Sequence, residues 1–265
     1  AMRLTDKVTI ITGASRGLGE YMAHAMAAEG ALIVVAARTE EVKDERLPGT
    51  IHETARKIRD AGGTAIAVRC NVADIESVEE MVKATLKEFG RIDILVNNAA
   101  VQPPGRLTTI QPRHWDLELR INVNGPFYAT RAVLDTMRAQ KSGNIINISS
   151  VGANRAMEGQ AGHYGVMKVT LEMMTKGFAT ELKDEGIAVN ALKPRGGIAT
   201  PGFLFARGGV KPPGTQGPEE FTEASVIMAT ASTETLTGEA LFDWEVIEKF
   251  GTGASLVQTA DSGPR

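Results

Sequence analysis

The chain has 265 residues, with 29 Lys plus Arg against 32 Asp plus Glu and a formal net charge of −3, a balance that argues against nucleic acid or an anionic membrane as the main partner. Hydrophobic residues make up 43% and charged residues 23%, enough apolar material for a sizeable core in a chain whose length suits one domain. Cys70 is the single cysteine and no apolar leader stands near the start, so internal disulfides are excluded and a cytoplasmic location is expected.

Short β-branched runs alternate with longer amphipathic stretches. Residues 7–12 read as a buried strand, followed by a glycine turn and a helix over about 17–29. Residues 31–37 form the second strand, 38–50 a polar loop carrying Pro48-Gly49, and 51–61 a helix that Gly62-Gly63 closes. Strand 64–70 precedes helix 75–89, which stops at Gly90. Strand 92–96, a long helix over 112–139, strand 145–148, helix 162–183 and strand 187–192 complete the alternation. Right-handed crossovers follow from this order, giving a single-domain, doubly wound α/β fold: a parallel sheet with helices on both faces. Residues 195–218 are rich in Gly and Pro around Phe203-Leu204-Phe205 and too long for a plain connection, as expected of a lid. Residues 245–265 form a C-terminal extension, polar and small after 251.

Three motifs carry chemistry. Thr12-Gly13-Ala14-Ser15-Arg16-Gly17-Leu18-Gly19 follows a strand and opens a helix, where glycines admit close backbone approach and free N–H groups meet a pyrophosphate. Its spacing, Gly-x3-Gly-x-Gly, differs from the usual dinucleotide fingerprint, and a plain βα turn is the bland alternative. Tyr164 and Lys168 lie four apart on one helix face, so the ammonium is placed to lower the phenol from its ordinary value near 10. Alone, the pair is an ordinary surface contact. Asn147-Ile148-Ser149-Ser150 ends a strand on the edge where open α/β sheets place ligands.

Together these residues resemble the short-chain dehydrogenase/reductase family, from Thr5 to about Asp243. The segment Asn97-Asn98-Ala99-Ala100 corresponds to the family's Asn-Asn-Ala-Gly, expected to brace the sheet and line the cofactor cleft. The resemblance implies a catalytic set of Asn122, Ser150, Tyr164 and Lys168. Ser150 is preferred to Ser149 by its fourteen-residue lead on Tyr164, and Asn122 to Asn124 by its distance from Phe127. It further implies cofactor contacts from Gly13, Ser15, Arg16, Gly17, Leu18, Gly19, Arg38, Asn71, Val72, Asn98, Ala99, Tyr164, Lys168, Pro194, Gly197 and Thr200. The reaction implied is hydride transfer between a nicotinamide cofactor and a small carbonyl or secondary alcohol, by a homo-oligomer, most often a tetramer. A non-catalytic nucleotide sensor, or a lyase or epimerase using the same tyrosine, are the rival readings.

Residues 47–53 are similar to an insertion in hydroxysteroid-dehydrogenase-like members. The chain departs from the family at Lys193-Pro194-Arg195-Gly196-Gly197, at Asp243-Trp244-Glu245 in place of Asp-Gly-Gly, and at Asn71 in place of Asp. An NAD site normally ends its second strand with an acid that accepts from the ribose. Here Val35-Ala36-Ala37 offers none and Arg38 follows, with Arg16 in the glycine turn, which favours NADP(H) over NAD(H), Glu40 or Glu41 being the groups that could reverse this. Arg155, Arg195, Arg207 and Lys211 could meet an anionic substrate tail. No His or Cys shows metal-ligand spacing. Cys70 and the Met173-Met174 pair read as core, the pair also as interface, and His163 as surface or pocket lining.

Overall fold

The computed structural model describes residues 2–42, 44–155, 162–205 and 208–251. Strands β1 (Val8–Thr12), β2 (Leu32–Ala37), β3 (Thr64–Arg69), β4 (Ile94–Asn97), β5 (Gly143–Ile148), β6 (Ile187–Lys193) and β7 (Ala240–Phe242) form one sheet. Its order is β3-β2-β1-β4-β5-β6-β7, and every pairing is parallel. The central strands are buried along their length, which explains why their residues do not alternate between apolar and charged.

Helices α1 (Gly17–Ala28), α2 (Ile51–Asp60), α3 (Ile75–Phe89), α4 (Pro112–Leu119), α5 (Gly125–Gln140), α6 (Gly162–Leu182), α7 (Pro201–Phe205), α8 (Glu219–Ala229) and α9 (Asp243–Phe250) surround it. One core cluster, with Met22, Met26, Ile58, Phe221 and Val246, covers one face, and the other, with Val78, Met81, Val133 and Met137, covers the opposite face. Local chemistry sets the ends. The Thr50 hydroxyl accepts from the Glu53 amide at 3.0 Å to start α2, and Asp74 accepts from the Glu76 amide at 3.1 Å to start α3.

The expected helix over 112–139 is two helices joined by a π-turn over Arg120–Asn124. Pro126, in the first turn of α5, has no N–H to give the Asn122 carbonyl four residues back, so α-bonding cannot run through. The 195–218 segment is tied at its base by a bridge between Ile198 and Gln216 and contains α7. Helix α8 and strand β7 carry no clear pattern in the sequence. The part of the C-terminal extension from 252 to 265, and Arg207, lie outside the described residues.

Candidate active site

The strand order reverses between β1 and β4, and the crevice above that point is where a doubly wound sheet holds its ligand. Both sides are knitted together at the strand ends. The Asn98 side-chain amide donates to the Thr12 carbonyl at 2.8 Å and the Gly13 carbonyl at 3.2 Å, and the Thr12 hydroxyl accepts from the Asn98 and Ala99 amides. Beneath them Asn97 donates to Asn147 at 2.9 Å and Asn147 to Thr175 at 2.9 Å, so a polar ladder runs from β4 through β5 to α6.

The glycine turn fits a dinucleotide phosphate. Gly17 sits at φ +60°, a conformation side chains resist. A Cβ at Gly13 would lie 2.8 Å from the Ala99 Cα, so this turn can only be built close to β4 without one. Arg16 precedes α1 with no side-chain cap, which leaves the first-turn amides to an anion. Ser15 is buried in the turn, and Leu18 packs on the core. Thr200 stands opposite, since a Cβ on Gly17 would meet it at 3.3 Å. Gly197 is covered by the Phe203 ring, with Pro194 just after β6. At the far end, Val72 packs under Gly125, and Asn71 accepts from the Ala73 amide at 3.3 Å.

Two guanidinium groups mark the edge beyond β2. Arg16 donates to the carbonyls of Pro48 and Gly49, each at 3.1 Å. Burial and the facing Arg38 charge hold its pKa below the ordinary value, and Arg38 itself is exposed. Glu40 is turned to Arg69 at 3.4 Å and His52 at 3.7 Å. The loop over 38–50 reaches further, placing the Arg46 guanidinium 4.8 Å from the centre of the Phe205 ring on α7.

Tyr164, Lys168 and Ser150 come together where α6 meets the end of β5. The short 3₁₀ turn Val151–Ala153 packs on α6, and a Cβ on Gly165 would lie 2.7 Å from the Gly152 carbonyl. Ser149 is spent, its hydroxyl donating to Glu172 at 2.6 Å. Ser150 accepts from the Gly152 amide at 3.2 Å through Oγ, which leaves its own O–H to donate. Lys168 is buried, donates to the Ile148 carbonyl at 2.7 Å, and lies 5.2 Å from the centre of the Tyr164 ring. Burial pushes the Lys168 ammonium down to about 8. Burial pushes the Tyr164 phenol above its ordinary value, and Glu118, if ionised, would push it further. The spacing therefore brings cation and phenol together, but the phenol expected below its ordinary value lies above it, because it is buried. Asn122 is fully buried, accepting from the Val101 amide at 2.9 Å and donating to the Val101 carbonyl at 2.8 Å, so its side chain pins the strand that leaves β4.

Three other expectations are corrected. His163 is fully buried rather than at the surface, with Nδ1 2.6 Å from Glu118 Oε2. Nothing in its spacing exposes this, because the partner lies 45 residues earlier. Arg195 is paired with Glu220 at 2.8 Å and partly buried, so it is not free for an anionic substrate tail, whereas Arg155 and Lys211 are exposed. Met173 is 66% exposed, so of its two readings core is corrected and interface stays open. Asp243 begins α9, buried, accepting from the Arg195 and Trp244 amides at 3.2 and 3.0 Å. Cys70 is core, and burial pushes its thiol up to about 11.

Residues 7–204 match the family model of short chain dehydrogenases. The chain is 40% identical over 198 residues to a 3-oxoacyl-[acyl-carrier-protein] reductase of Synechocystis, covering 74% of this chain and 76% of that one. It is 36% identical over 199 residues to the Bos taurus hydroxysteroid dehydrogenase-like protein 2, covering 75% of this chain and 47% of that protein. Among solved structures, a short chain dehydrogenase from Mycobacterium thermoresistibile superposes with a TM-score of 0.83 at 30% identity, covering 94% of this chain and 89% of that one. A gluconate 5-dehydrogenase from Burkholderia cenocepacia, solved with NADP and tartrate, gives 0.78 at 30% identity, covering 91% and 94%. The parallel sheet, the glycine turn at its switch point and the tyrosine–lysine helix beside it agree with these likenesses: the chain belongs to the short-chain dehydrogenase family of oxidoreductases.

Proposed function

We propose that the protein interconverts a carbonyl and a secondary alcohol with NADP(H) as redox partner. The observation that carries this reading is the Lys168 ammonium, 5.2 Å from the centre of the Tyr164 ring and bonded to the Ile148 carbonyl at the end of β5, two residues before Ser150. The nicotinamide, when bound, exchanges the hydride. The chain supplies the proton and the alignment. Tyr164, held protonated by burial, gives its phenol proton to the carbonyl oxygen as reduction proceeds. Ser150 donates its hydroxyl hydrogen to the same oxygen and orients it. Lys168, beside the phenol, stabilises the phenolate left behind and would hold the ribose of a bound nicotinamide nucleotide. Asn122 would position a water that links Lys168 to solvent, while its side chain stays on Val101.

Cofactor choice rests on charge. Arg16 and Arg38 lie close enough beyond β2 for their charges to be felt, and the two guanidiniums would together suit a 2′-phosphate. Of the two acids that could favour NAD(H), Glu40 is directed to Arg69 and His52, and Glu41 is exposed. The remaining contacts are assigned to Gly13, Ser15, Leu18, Gly19, Asn71, Val72, Asn98, Ala99, Pro194, Gly197 and Thr200 around the crevice. We further infer a homo-oligomer, a tetramer by family resemblance, formed through the apolar side chains that α5 and α6 leave exposed: Phe127, Val166, Val169 and Met173.

The test is a panel of aliphatic ketones, cyclic ketones and 3-oxoacyl thioesters offered with each reduced cofactor. One NADPH is expected to disappear per carbonyl reduced, with a higher kcat/KM for NADPH than for NADH. Equal or better kcat/KM with NADH would refute the cofactor assignment.

A further inference from the structure

Helix α4 buries one of its eight side chains, and that one is Glu118. An exposed, polar helix does not bury a carboxylate for packing. Both Glu118 and His163 are 0% exposed, and their contact at 2.6 Å ties α4 to the residue directly before Tyr164 on α6. The second imidazole nitrogen, Nε2, lies 3.1 Å from the Gly105 carbonyl. A carbonyl only accepts, so Nε2 must carry a hydrogen. One further proton then lies between Nδ1 and Oε2. Either the pair is imidazolium and carboxylate, or it is a neutral imidazole accepting from a carboxylic acid.

The surroundings choose between them. The other carboxyl oxygen, Glu118 Oε1, is buried with no hydrogen-bond partner among the described residues. A charged oxygen in that position is far more costly than a neutral carbonyl. Burial also raises the Glu118 pKa, against the lowering influence of His163 and then Lys168. Among the described residues, the titratable groups that bear on Glu118 are His163, Tyr164 and Lys168, all on α6. In the neutral form, Glu118 adds no charge to the neighbourhood of Tyr164, where a carboxylate would oppose the phenolate.

We propose that Glu118 and His163 act as a neutral one-proton latch that positions Tyr164, binding the first turn of α6 to α4 and to the Gly105 loop while keeping the carboxyl uncharged beside the reacting phenol. Gly105 itself sits at φ +137°, a conformation that suits glycine alone, so the loop can meet the imidazole only with glycine there. Glu118 and His163 touch neither substrate nor cofactor; they are positioning residues, and the inference rests on the assignment of Tyr164 as proton donor.

Two measurements on the full chain test it. Nitrogen NMR of the histidines should show His163 with a bare Nδ1 and a protonated Nε2 at the pH of the assay; an imidazolium signature overturns the latch. Turnover with NADPH and a carbonyl accepted by the wild type is then compared in Glu118→Gln and Glu118→Leu. The glutamine amide can donate to Nδ1 as the acid does, so Glu118→Gln should keep turnover and its pH profile. Glu118→Leu should lose turnover on the order of 10²-fold with little change in KM for NADPH, the effect of a displaced proton donor. Wild-type turnover in Glu118→Leu, or equal damage in both variants, overturns the proposal. Tyr164→Phe run alongside separates the two ideas: if it keeps turnover, the assignment of Tyr164 fails, and if it is inactive while Glu118→Leu is not, only the latch fails.

Discussion

Burial, rather than sequence spacing, sets the chemistry of Lys168 at the residue scale. Lys168 titrates near 8 in the folded chain against an ordinary 10.5, because its ammonium is desolvated. Below about 8 the ammonium is charged in both states, and the folded protein carries the burial penalty in full. Between those values the unfolded chain still binds a proton that the folded chain has released, so stability rises with pH; above both, the penalty is gone. Wild-type stability relative to Lys168→Met is therefore expected to rise across that window, by on the order of 3 kcal/mol in denaturant titrations. A pH-independent difference would place the Lys168 pKa at its ordinary value. The second test concerns Arg38, exposed and facing Arg16. Ala37→Asp combined with Arg38→Leu removes one phosphate donor and adds a ribose acceptor. The ratio of kcat/KM for NADPH over NADH should fall by at least ~10-fold, the worth of one charge-assisted hydrogen bond; an unchanged ratio would show that the guanidiniums are merely solvated.

Elements whose faces carry regular patterns are legible in the sequence, and those that depend on distant partners are not. Strands β1 to β6 and helices α1, α2, α3 and α6 fall within a few residues of their expected bounds, because β-branched runs and terminal Thr50, Asp74 and Gly90 mark them. The break between α4 and α5 needed Pro126 to be weighed against the hydrophobic period around it. Strand β7 is three residues long and gains its place from β6 alone, and α8 is defined by what it packs on, α1 and α9. Phe221 on α8 is fully buried in the core. Phe221→Ala should cost about 3–5 kcal/mol, seen as a lower urea midpoint at unchanged slope; a loss of less than about 1 kcal/mol would mean that α8 is not part of the cooperative core.

At the scale of the whole molecule, the glycine turn and the Tyr164–Lys168 pair are legible from motif and spacing, and Ser150 from the family resemblance alone. What spacing could not supply is the third dimension: the Glu118–His163 contact, the Arg195–Glu220 pair and the reach of Arg46 to Phe205 all join segments far apart in the chain. No helix among the described residues is long and apolar enough to cross a membrane. The exposed apolar side chains on α5 and α6 lead to an assembly prediction. Light scattering at micromolar concentration should give a multiple of the chain mass, and Met173→Asp should shift it toward smaller species; a wild-type monomer would contradict it.

The measurement that bears most directly on the central claim is turnover by Tyr164→Phe. It should bind NADPH as the wild type does, yet reduce the same carbonyl at least ~10²-fold more slowly, the usual worth of a positioned general acid. Wild-type turnover in the variant would contradict the account.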